Sequence, residues 1–180
     1  MASARPISFH STELHEQPSA SFLSGLASDT DRAVAQALVK WAVATGLRFR
    51  HSRREGGGVV EYLVVPATAY QKGRLGEPLL TLQQTKGVWD IPFGRMRGLA
   101  LGAQVEQQRL LDALNVVLPV GQKLKQKGLK SARTAGSWSQ LPYAALEEPQ
   151  VRRRVCELLK WAAQGMKQGT LGPMPQATAA

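Results

Sequence analysis

The chain has 180 residues, 43% hydrophobic and 20% charged, which suits one globular domain with its own core. Lys and Arg total 23 against 13 Asp and Glu. The net charge of +10 attracts polyanions such as nucleic acid or an acidic protein, although a basic composition also serves solubility alone. A single cysteine, Cys156, excludes an internal disulfide and a cysteine-based zinc site, and no apolar run approaches the roughly 20 residues that span a bilayer.

Residues 1–24 are rich in Ser, Pro and His and show little periodicity, which predicts a flexible arm that is loose or only partly docked. The arm lacks the apolar segment of a signal peptide. With one cysteine and no expected membrane association, the chain is predicted to be cytoplasmic. A single domain is expected over residues 25–166, followed by a flexible tail over 167–180.

The first predicted element is a helix that begins after Ser28, an N-cap residue type. Asp29 and Asp31 follow in the first turn, where the helix dipole favours acids. Apolar residues recur at helical spacing from Val34 onward, and Gly46 provides a stop. This pattern indicates an amphipathic helix with a buried stripe that includes Trp41 and Leu38.

Four strands are predicted next, in the runs 47–51, 59–65, 79–84 and 88–93. The first run alternates apolar and basic residues, so Leu47 and Phe49 are expected to point inward. The arginines between and after them, Arg48 and Arg50, then point outward. Because the connections are short, an antiparallel meander is the economical arrangement.

Two further helices are predicted, one over residues 103–117 that ends before Pro119, and one that begins at Pro149. Each helix has one apolar face, which favours packing of all the helices on one face of the sheet. The predicted fold is therefore α+β: a four-stranded antiparallel meander with about three helices on one face, in the order α-β-β-β-β-α-α.

Several segments carry a family resemblance that spans residues 28–166. They are Lys40-Trp41-Ala42, the strand region 87–96 (GVWDIPFGRM), the stretch 110–115 (LLDALN) with Pro119 after it, and the ending 159–162 (LKWA). The chain resembles a loosely defined group of uncharacterised bacterial α+β domains, some of them linked to restriction or defence proteins. The resemblance implies the same fold and a nucleic-acid context, and it implies no catalytic residue.

Groups that carry out catalysis or bind metals are sparse. His10 and His15 fall in the arm, and His51 lies among arginines that disfavour both its protonation and a bound cation. Cys156 adjoins the apolar face of the last helix, so we expect it to be structural. No cofactor, metal or catalytic residue is predicted.

Glu61 and Asp90 are the only acids within predicted strands, and Lys86 lies in the turn before Asp90. A metal-dependent, nuclease-like enzyme using these three residues is the least favoured hypothesis, because neither acid sits in the carboxylate-x-lysine arrangement of such sites. A structure that places these side chains on opposite faces of the sheet would exclude it. Asp90 is instead expected on a solvated strand face.

Basic residues are concentrated at the first strand, after the fourth strand and in the loop after the second helix, and no acid occurs from Ala113 to Leu146. Such clusters suit phosphate contact. The residues predicted to bind nucleic acid are Arg48, Arg50, Arg53, Arg54, Arg95, Arg97, Lys123, Lys125, Lys127, Lys130 and Arg133. Trp138 and Tyr143 flank the lysine loop and offer either stacking surfaces or, the favoured interpretation for both, core packing.

The sequence therefore predicts a non-catalytic, basic domain that binds DNA or RNA through phosphate contacts. The alternative is a protein-interaction adaptor whose basic face meets an acidic partner. An apolar patch beside the lysine loop would favour the adaptor.

Overall fold

The structure is a computed structural model that describes residues 9–10, 13–54, 57–67, 75–96, 100–124 and 140–176. In this part of the chain an antiparallel sheet has six strands, each paired with the next in sequence. The strands are β1 (Phe9–His10), β2 (Arg48–Arg54), β3 (Gly57–Pro66), β4 (Gly76–Gln83), β5 (Val88–Asp90) and β6 (Leu141–Pro142). The expected meander forms the middle of the sheet. The expected count of four strands is wrong, because β1 and β6 have two residues each and are too short for a periodic sequence signal.

Three α-helices accompany the sheet in the described residues: α1 (Asp29–Ala44), α2 (Gln104–Val117) and α3 (Pro149–Gln168). Two 3-10 segments lie before α2 and α3 respectively, at Phe93–Arg95 and Tyr143–Leu146. The α+β class is thus as predicted. None of the described helices combines the length and the apolar character needed to cross a membrane.

The ends of the helices follow the local sequence. The Ser28 side chain accepts a hydrogen bond from the backbone N–H of Asp31, which caps α1 at its N-terminus. Pro149 occupies the first turn of α3, where its missing N–H costs no hydrogen bond. Gly169 ends α3 in a left-handed conformation with φ 83°, which favours glycine.

The main core lies between the three helices and one face of the sheet, called here the helix face. The buried apolar residues of α1, α2 and α3 all belong to one cluster with Phe49, Leu63, Leu82 and Trp89. Trp89 pairs with Leu82 and is fully buried, so the strand register places its indole on the helix face. A second, smaller cluster of Val60, Tyr62 and Val64 lies on the opposite face of β3.

The segment before α1 lies against the sheet over its described residues. Phe22 is fully buried in the main core. The Gln84 side chain donates hydrogen bonds to the carbonyls of Ser21 and Phe22 and accepts one from the N–H of Val59. His15 forms an antiparallel bridge with Phe49 at the edge of β2. Backbone pairing and one buried aromatic side chain thus hold this segment in place.

The segment after α3 crosses the helices. The Arg109 guanidinium lies over the ring of Trp161, 5.2 Å from its centroid, and donates a 3.0 Å hydrogen bond to the carbonyl of Gly172. The indole N–H of Trp161 donates to the same carbonyl. Leu171 is buried next to Gly165. This segment therefore packs against α2 and α3.

Candidate functional site

A row of side chains crosses the sheet on the face opposite the helices. Arg50 on β2 pairs with Tyr62 on β3, Tyr62 pairs with Thr81 on β4, and Thr81 pairs with Asp90 on β5. Directly paired residues point to the same side of an antiparallel sheet. The register therefore brings a cation, an aromatic ring, a hydroxyl and a carboxylate onto one face.

Tyr62 organises two arginines from distant parts of the chain. The guanidinium carbon of Arg50 lies 5.3 Å from the centroid of the Tyr62 ring, and that of Arg95 lies 4.9 Å from it. Arg95 reaches the ring from the 3-10 segment that follows β5. A guanidinium at this distance is attracted to the negative face of the ring. Tyr62 itself is only 4% exposed, so the ring supports the arginines and offers little surface to a ligand.

Arg48 completes the basic group on this face, because it pairs with Val64 of the same small cluster. Its guanidinium lies 3.3 Å from a carboxylate oxygen of Glu16, and the exposed fractions of the two side chains are 40% and 79%. An exposed ion pair of this kind is weak and easily exchanged for another anion. We call the surface formed by Arg48, Arg50 and Arg95 the arginine face.

Asp90 lies at the end of the row and is buried, with 4% of its surface exposed. The expectation of a solvated strand face is therefore wrong. Gln83 donates a 3.1 Å hydrogen bond to its carboxylate. Burial raises the pKa of Asp90, while the hydrogen bond from Gln83 and the charge of Arg95 oppose that rise. The carboxylate is thus held within the fold, and its charge attracts Arg95 to this face.

The predicted arginine cluster of residues 48–54 is divided between the two faces of the sheet. Arg53 alternates with Arg50 and lies on the opposite side of β2, where its guanidinium approaches the hydroxyl of Ser21 at 3.5 Å. The register shifts between Arg53 and Arg54, and the side chain of Arg54 lies outside the described residues. Arg53 therefore does not join the arginine face, because the side-chain period of a strand is two.

Lys123 has a structural role at the end of α2. Its ammonium group donates hydrogen bonds to the backbone carbonyls of Asn115 and Leu118. These carbonyls lie at the C-terminal end of the helix, where the dipole favours a cation. The Asn115 side chain donates a hydrogen bond to the carbonyl of Leu124 through its N–H₂ group and accepts one from the N–H of Leu124 through its oxygen. The start of the loop therefore folds back on the helix. The other predicted residues, Arg97, Lys125, Lys127, Lys130 and Arg133, lie outside the described residues, as does Trp138.

Glu61 and Asp90 lie on opposite faces of the sheet. Glu61 pairs with Leu82, a helix-face residue, whereas Asp90 pairs with Thr81. The two carboxylates therefore cannot bind one metal ion. A nuclease-like metal site built from Glu61 and Asp90 is excluded. Lys86 is exposed in the turn between β4 and β5. Within the described ranges, no three His, Cys, Asp or Glu side chains come together as metal ligands.

Glu61 is fully buried and accepts a 2.7 Å hydrogen bond from the backbone N–H of Ser19. Burial raises its pKa to about 7, and the hydrogen bond partly opposes this effect. Because Ser19 belongs to the segment before α1, the carboxyl group ties that segment to the centre of the sheet.

The histidines and the cysteine do not form an active site in the described residues. The rings of His15 and His51 stack with centroids 5.0 Å apart. Burial and the neighbouring His15 lower the pKa of His51, and of the arginines that the sequence places around it only Arg53 adds to this effect. Burial raises the pKa of Cys156 to about 12, which leaves the thiol a poor nucleophile at neutral pH. Tyr143 is fully buried and is a core residue, as the favoured interpretation had it.

Sequence reasoning missed the row that ends in Asp90 and the role of Tyr62 in it. Alternation along β3 was visible, but the partners of Tyr62 depend on the register of three strands.

No family model, curated protein or solved structure matches the chain. The resemblance over residues 28–166 therefore stays a prediction.

Proposed function

We propose that the chain binds nucleic acid, DNA or RNA, through phosphate contacts made by the arginine face. The observation that carries the proposal is the convergence of Arg48, Arg50 and Arg95 on one side of the sheet, although Arg95 is far from the other two in sequence. Guanidinium groups bind phosphate with two parallel hydrogen bonds, so several of them on one rigid surface suit a polyanion. The net charge of +10 adds a general attraction that accelerates encounter.

The proposed binding mode is contact with the backbone, without base stacking. A stacking platform needs an exposed aromatic ring, and Tyr62 is 4% exposed beneath its two arginines. Because phosphate contacts carry no direct sequence information, we expect little preference among sequences. The ring's contribution is to hold the arginines in place before the ligand arrives, which reduces the ordering cost of binding.

The test is a salt series with a duplex oligonucleotide, in which the dissociation constant is measured at several salt concentrations. Each neutralised phosphate contributes about 0.9 to the slope of log affinity against log salt concentration. The triple variant R48Q/R50Q/R95Q is expected to flatten that slope by about 2 to 3 and to weaken binding at every salt concentration. The same series on single-stranded RNA compares the two kinds of nucleic acid.

The matched control is R53Q/K86Q/R153Q, which removes the same number of charges. Arg53 lies on the other face of β2, Lys86 in an exposed turn and Arg153 on α3. If both triple variants flatten the slope equally, binding follows total charge and the arginine face is not the site. If neither variant changes it, none of the six substituted residues contacts phosphate.

A second candidate function, a protein-interaction adaptor, is favoured by two exposed valines. Val116 at the end of α2 is 85% exposed and Val120 just beyond it is 97% exposed. They adjoin the point where the predicted lysine loop begins, the place where an apolar patch was expected for an adaptor. Absence of retention on heparin at physiological salt, together with binding of an acidic protein that is lost in V116D/V120D, would support this function over nucleic-acid binding.

A further inference from the structure

An open groove lies on the helix side of the protein, where Trp41 of α1 and the first half of α3 form its lining. Its apolar lining consists of Trp41 from α1 and Pro149 and Cys156 from α3. Its charged lining comes from α3 alone: Arg152, Arg153, Glu157 and Lys160. The groove lies on the helix side of the sheet and is therefore separate from the arginine face.

Contacts within the chain explain two of the three consecutive arginines near the start of α3. Arg152 donates to the carbonyls of Leu146 and Glu147, which secures the 3-10 segment before the helix. Arg154 pairs with Glu157 at 2.8 Å and donates to the carbonyls of Pro175 and Gln176. Both residues thus hold neighbouring backbone in place.

Arg153 and Lys160 have no comparable role. Both are exposed, and neither makes a hydrogen bond or ion pair with the described part of the chain. Arg153 also stands in the second turn of α3, near the helix end where the dipole disfavours a cation. Since Arg154 already neutralises Glu157, the charges of Arg153 and Lys160 stand beside that of Arg152, which bonds only neutral carbonyls, and the groove lining is strongly positive.

Trp41 has an unusual environment for a tryptophan on an amphipathic helix. The sequence places it in the core, but the structure leaves it partly exposed at the edge of the main cluster. Trp161, in contrast, is 7% exposed and donates its indole N–H to Gly172. The indole N–H of Trp41 has no such acceptor in the described ranges. An amphipathic ring with a free donor is a common anchor point in protein interfaces.

We propose that the groove between α1 and α3 binds an acidic peptide segment of a partner protein, with an apolar side chain against Trp41 and carboxylates facing Arg153 and Lys160. The lining combines an apolar surface, to which Trp41 contributes the largest side chain, with cations along α3, and this combination complements an amphipathic segment. Nucleic acid fits the groove less well, because the apolar part of its lining offers no partner to a phosphate backbone.

The experiment is a selection of peptides from a random 12-residue display library on the full-length chain. We expect the enriched peptides to combine Asp or Glu with an aromatic or large aliphatic residue. Individual peptides made from these sequences are then titrated against the wild-type chain and against R153E/K160E and W41A. We expect at least a tenfold loss of affinity for each variant, because both the charges and the anchor surface contribute.

Cys156 supplies an independent measure of where a peptide binds. The chain has one cysteine, so every thiol adduct detected by mass spectrometry reports on the groove. Labelling is done at pH 9, where a larger fraction of this weakly acidic thiol is ionised than at neutral pH. A bound peptide is expected to slow modification of Cys156 several-fold, while a duplex oligonucleotide leaves its rate unchanged. The control variant K86E/K167E makes the same change in net charge at exposed lysines outside the groove lining and is expected to bind peptide like the wild type.

Three outcomes would overturn the proposal. The first is no enrichment of acidic peptides with an apolar residue. The second is peptide binding that R153E/K160E and K86E/K167E weaken equally, or that leaves Cys156 unprotected. The third is protection of Cys156 by the oligonucleotide, which would assign the groove to nucleic acid. The proposed function is tested separately by oligonucleotide binding to R48Q/R50Q/R95Q, since none of these three arginines lines the groove.

Discussion

The guanidinium carbon of Arg95 lies 4.9 Å from the ring centroid of Tyr62, although the two residues belong to different elements of the fold. Arg50 approaches the same ring at 5.3 Å. One buried aromatic side chain therefore positions two cations on the face of the sheet that the α-helices leave uncovered. The consequences of this arrangement are measurable in both stability and binding.

Replacement of Tyr62 with Leu is expected to weaken both the fold and nucleic-acid binding. Leu keeps an apolar side chain in the small cluster of Val60 and Val64 but removes the ring that attracts the arginines. Each cation–π contact contributes about 0.5–1 kcal/mol at an exposed site, so Y62L should be about 1–2 kcal/mol less stable than Y62F. Urea unfolding of the two variants provides the measurement, and equal stability of Y62L and Y62F would contradict the role assigned to the ring.

Glu61 is expected to make stability depend on pH. Its pKa in the folded protein is about 7, above the ordinary value of 4.5. The folded state therefore binds the proton more tightly than the unfolded state does. Its stabilising contribution is fully present below pH 4.5 and is lost as the pH rises through about 7. The loss amounts to roughly 3 kcal/mol at most.

The variant E61Q isolates this contribution, because an amide keeps the acceptor for the N–H of Ser19 and does not titrate. The stability of E61Q relative to the wild type is expected to increase between pH 5 and pH 8. Urea unfolding at several pH values measures the difference. Only the pH dependence is diagnostic, since the new amide N–H₂ adds a constant cost in a buried position. A difference that stays constant over this range would show that Glu61 titrates normally.

Lys123 is expected to act on stability more than on binding. Its ammonium group bonds the carbonyls of Asn115 and Leu118 at the end of α2. K123Q should lower the free energy of unfolding by about 1 kcal/mol, the usual value for a lost hydrogen bond or a favourable charge at a helix end. The exposed Lys40 on α1 provides the control K40Q, which should leave stability unchanged. If K123Q retains wild-type stability but flattens the salt dependence of nucleic-acid binding, Lys123 belongs to the binding surface after all.

Gln84 is expected to control the docking of the segment before α1. Its N–H₂ group donates to the carbonyls of Ser21 and Phe22. Q84E replaces this donor with a carboxylate oxygen that repels both carbonyls, at a cost of about 2–3 kcal/mol. Limited proteolysis should then cleave near residues 19–26 faster than in the wild type. The exposed variant Q36E, on the surface of α1, should cleave at the wild-type rate.

Gly165 is expected to be required for packing of the segment after α3. A Cβ atom there would lie 2.4 Å from a methyl carbon of Leu171 and 3.0 Å from the carbonyl oxygen of Thr170. Alanine gains about 1 kcal/mol over glycine inside a helix, but this close contact with backbone should outweigh the gain and leave G165A about 1–2 kcal/mol less stable. G172A is the control, because a Cβ at Gly172 meets no atom within 4 Å. Greater thermal stability of G165A than of G172A would show that Leu171 moves aside at little cost.

The regular elements were largely readable from the sequence. The cap at Ser28, the stop at Gly46 and the proline that opens α3 are local signals, and each stands where it was expected. Alternation along the first strand correctly placed Phe49 inside and Arg48 on the other face. The strands β1 and β6 are not predictable from periodicity, since two residues have no detectable period.

The candidate site was only partly readable, because sequence proximity is a poor guide to which charges share a surface. Arg50 and Arg53 are near neighbours in the chain but lie on opposite faces of β2, whereas Arg50 and Arg95 share one ring. Lys123 belonged to the densest run of lysines, yet its contacts are with the end of α2. The number of basic residues predicts that the chain attracts polyanions, but it does not predict where on the surface the charges lie.

The sequence by itself determined the α+β class, the bounds of the helices to within a residue or two, and the basic character of the chain, because caps, periodicity and composition are local properties. Only the tertiary structure decided which face each charge occupies. That outcome depends on the pairing register of β2 to β5, which is set by burial of the main core and shifts every side chain to the other face if it slips by one residue. The composition gives the net positive charge, but only that register determines which basic side chains lie together on one face of the sheet.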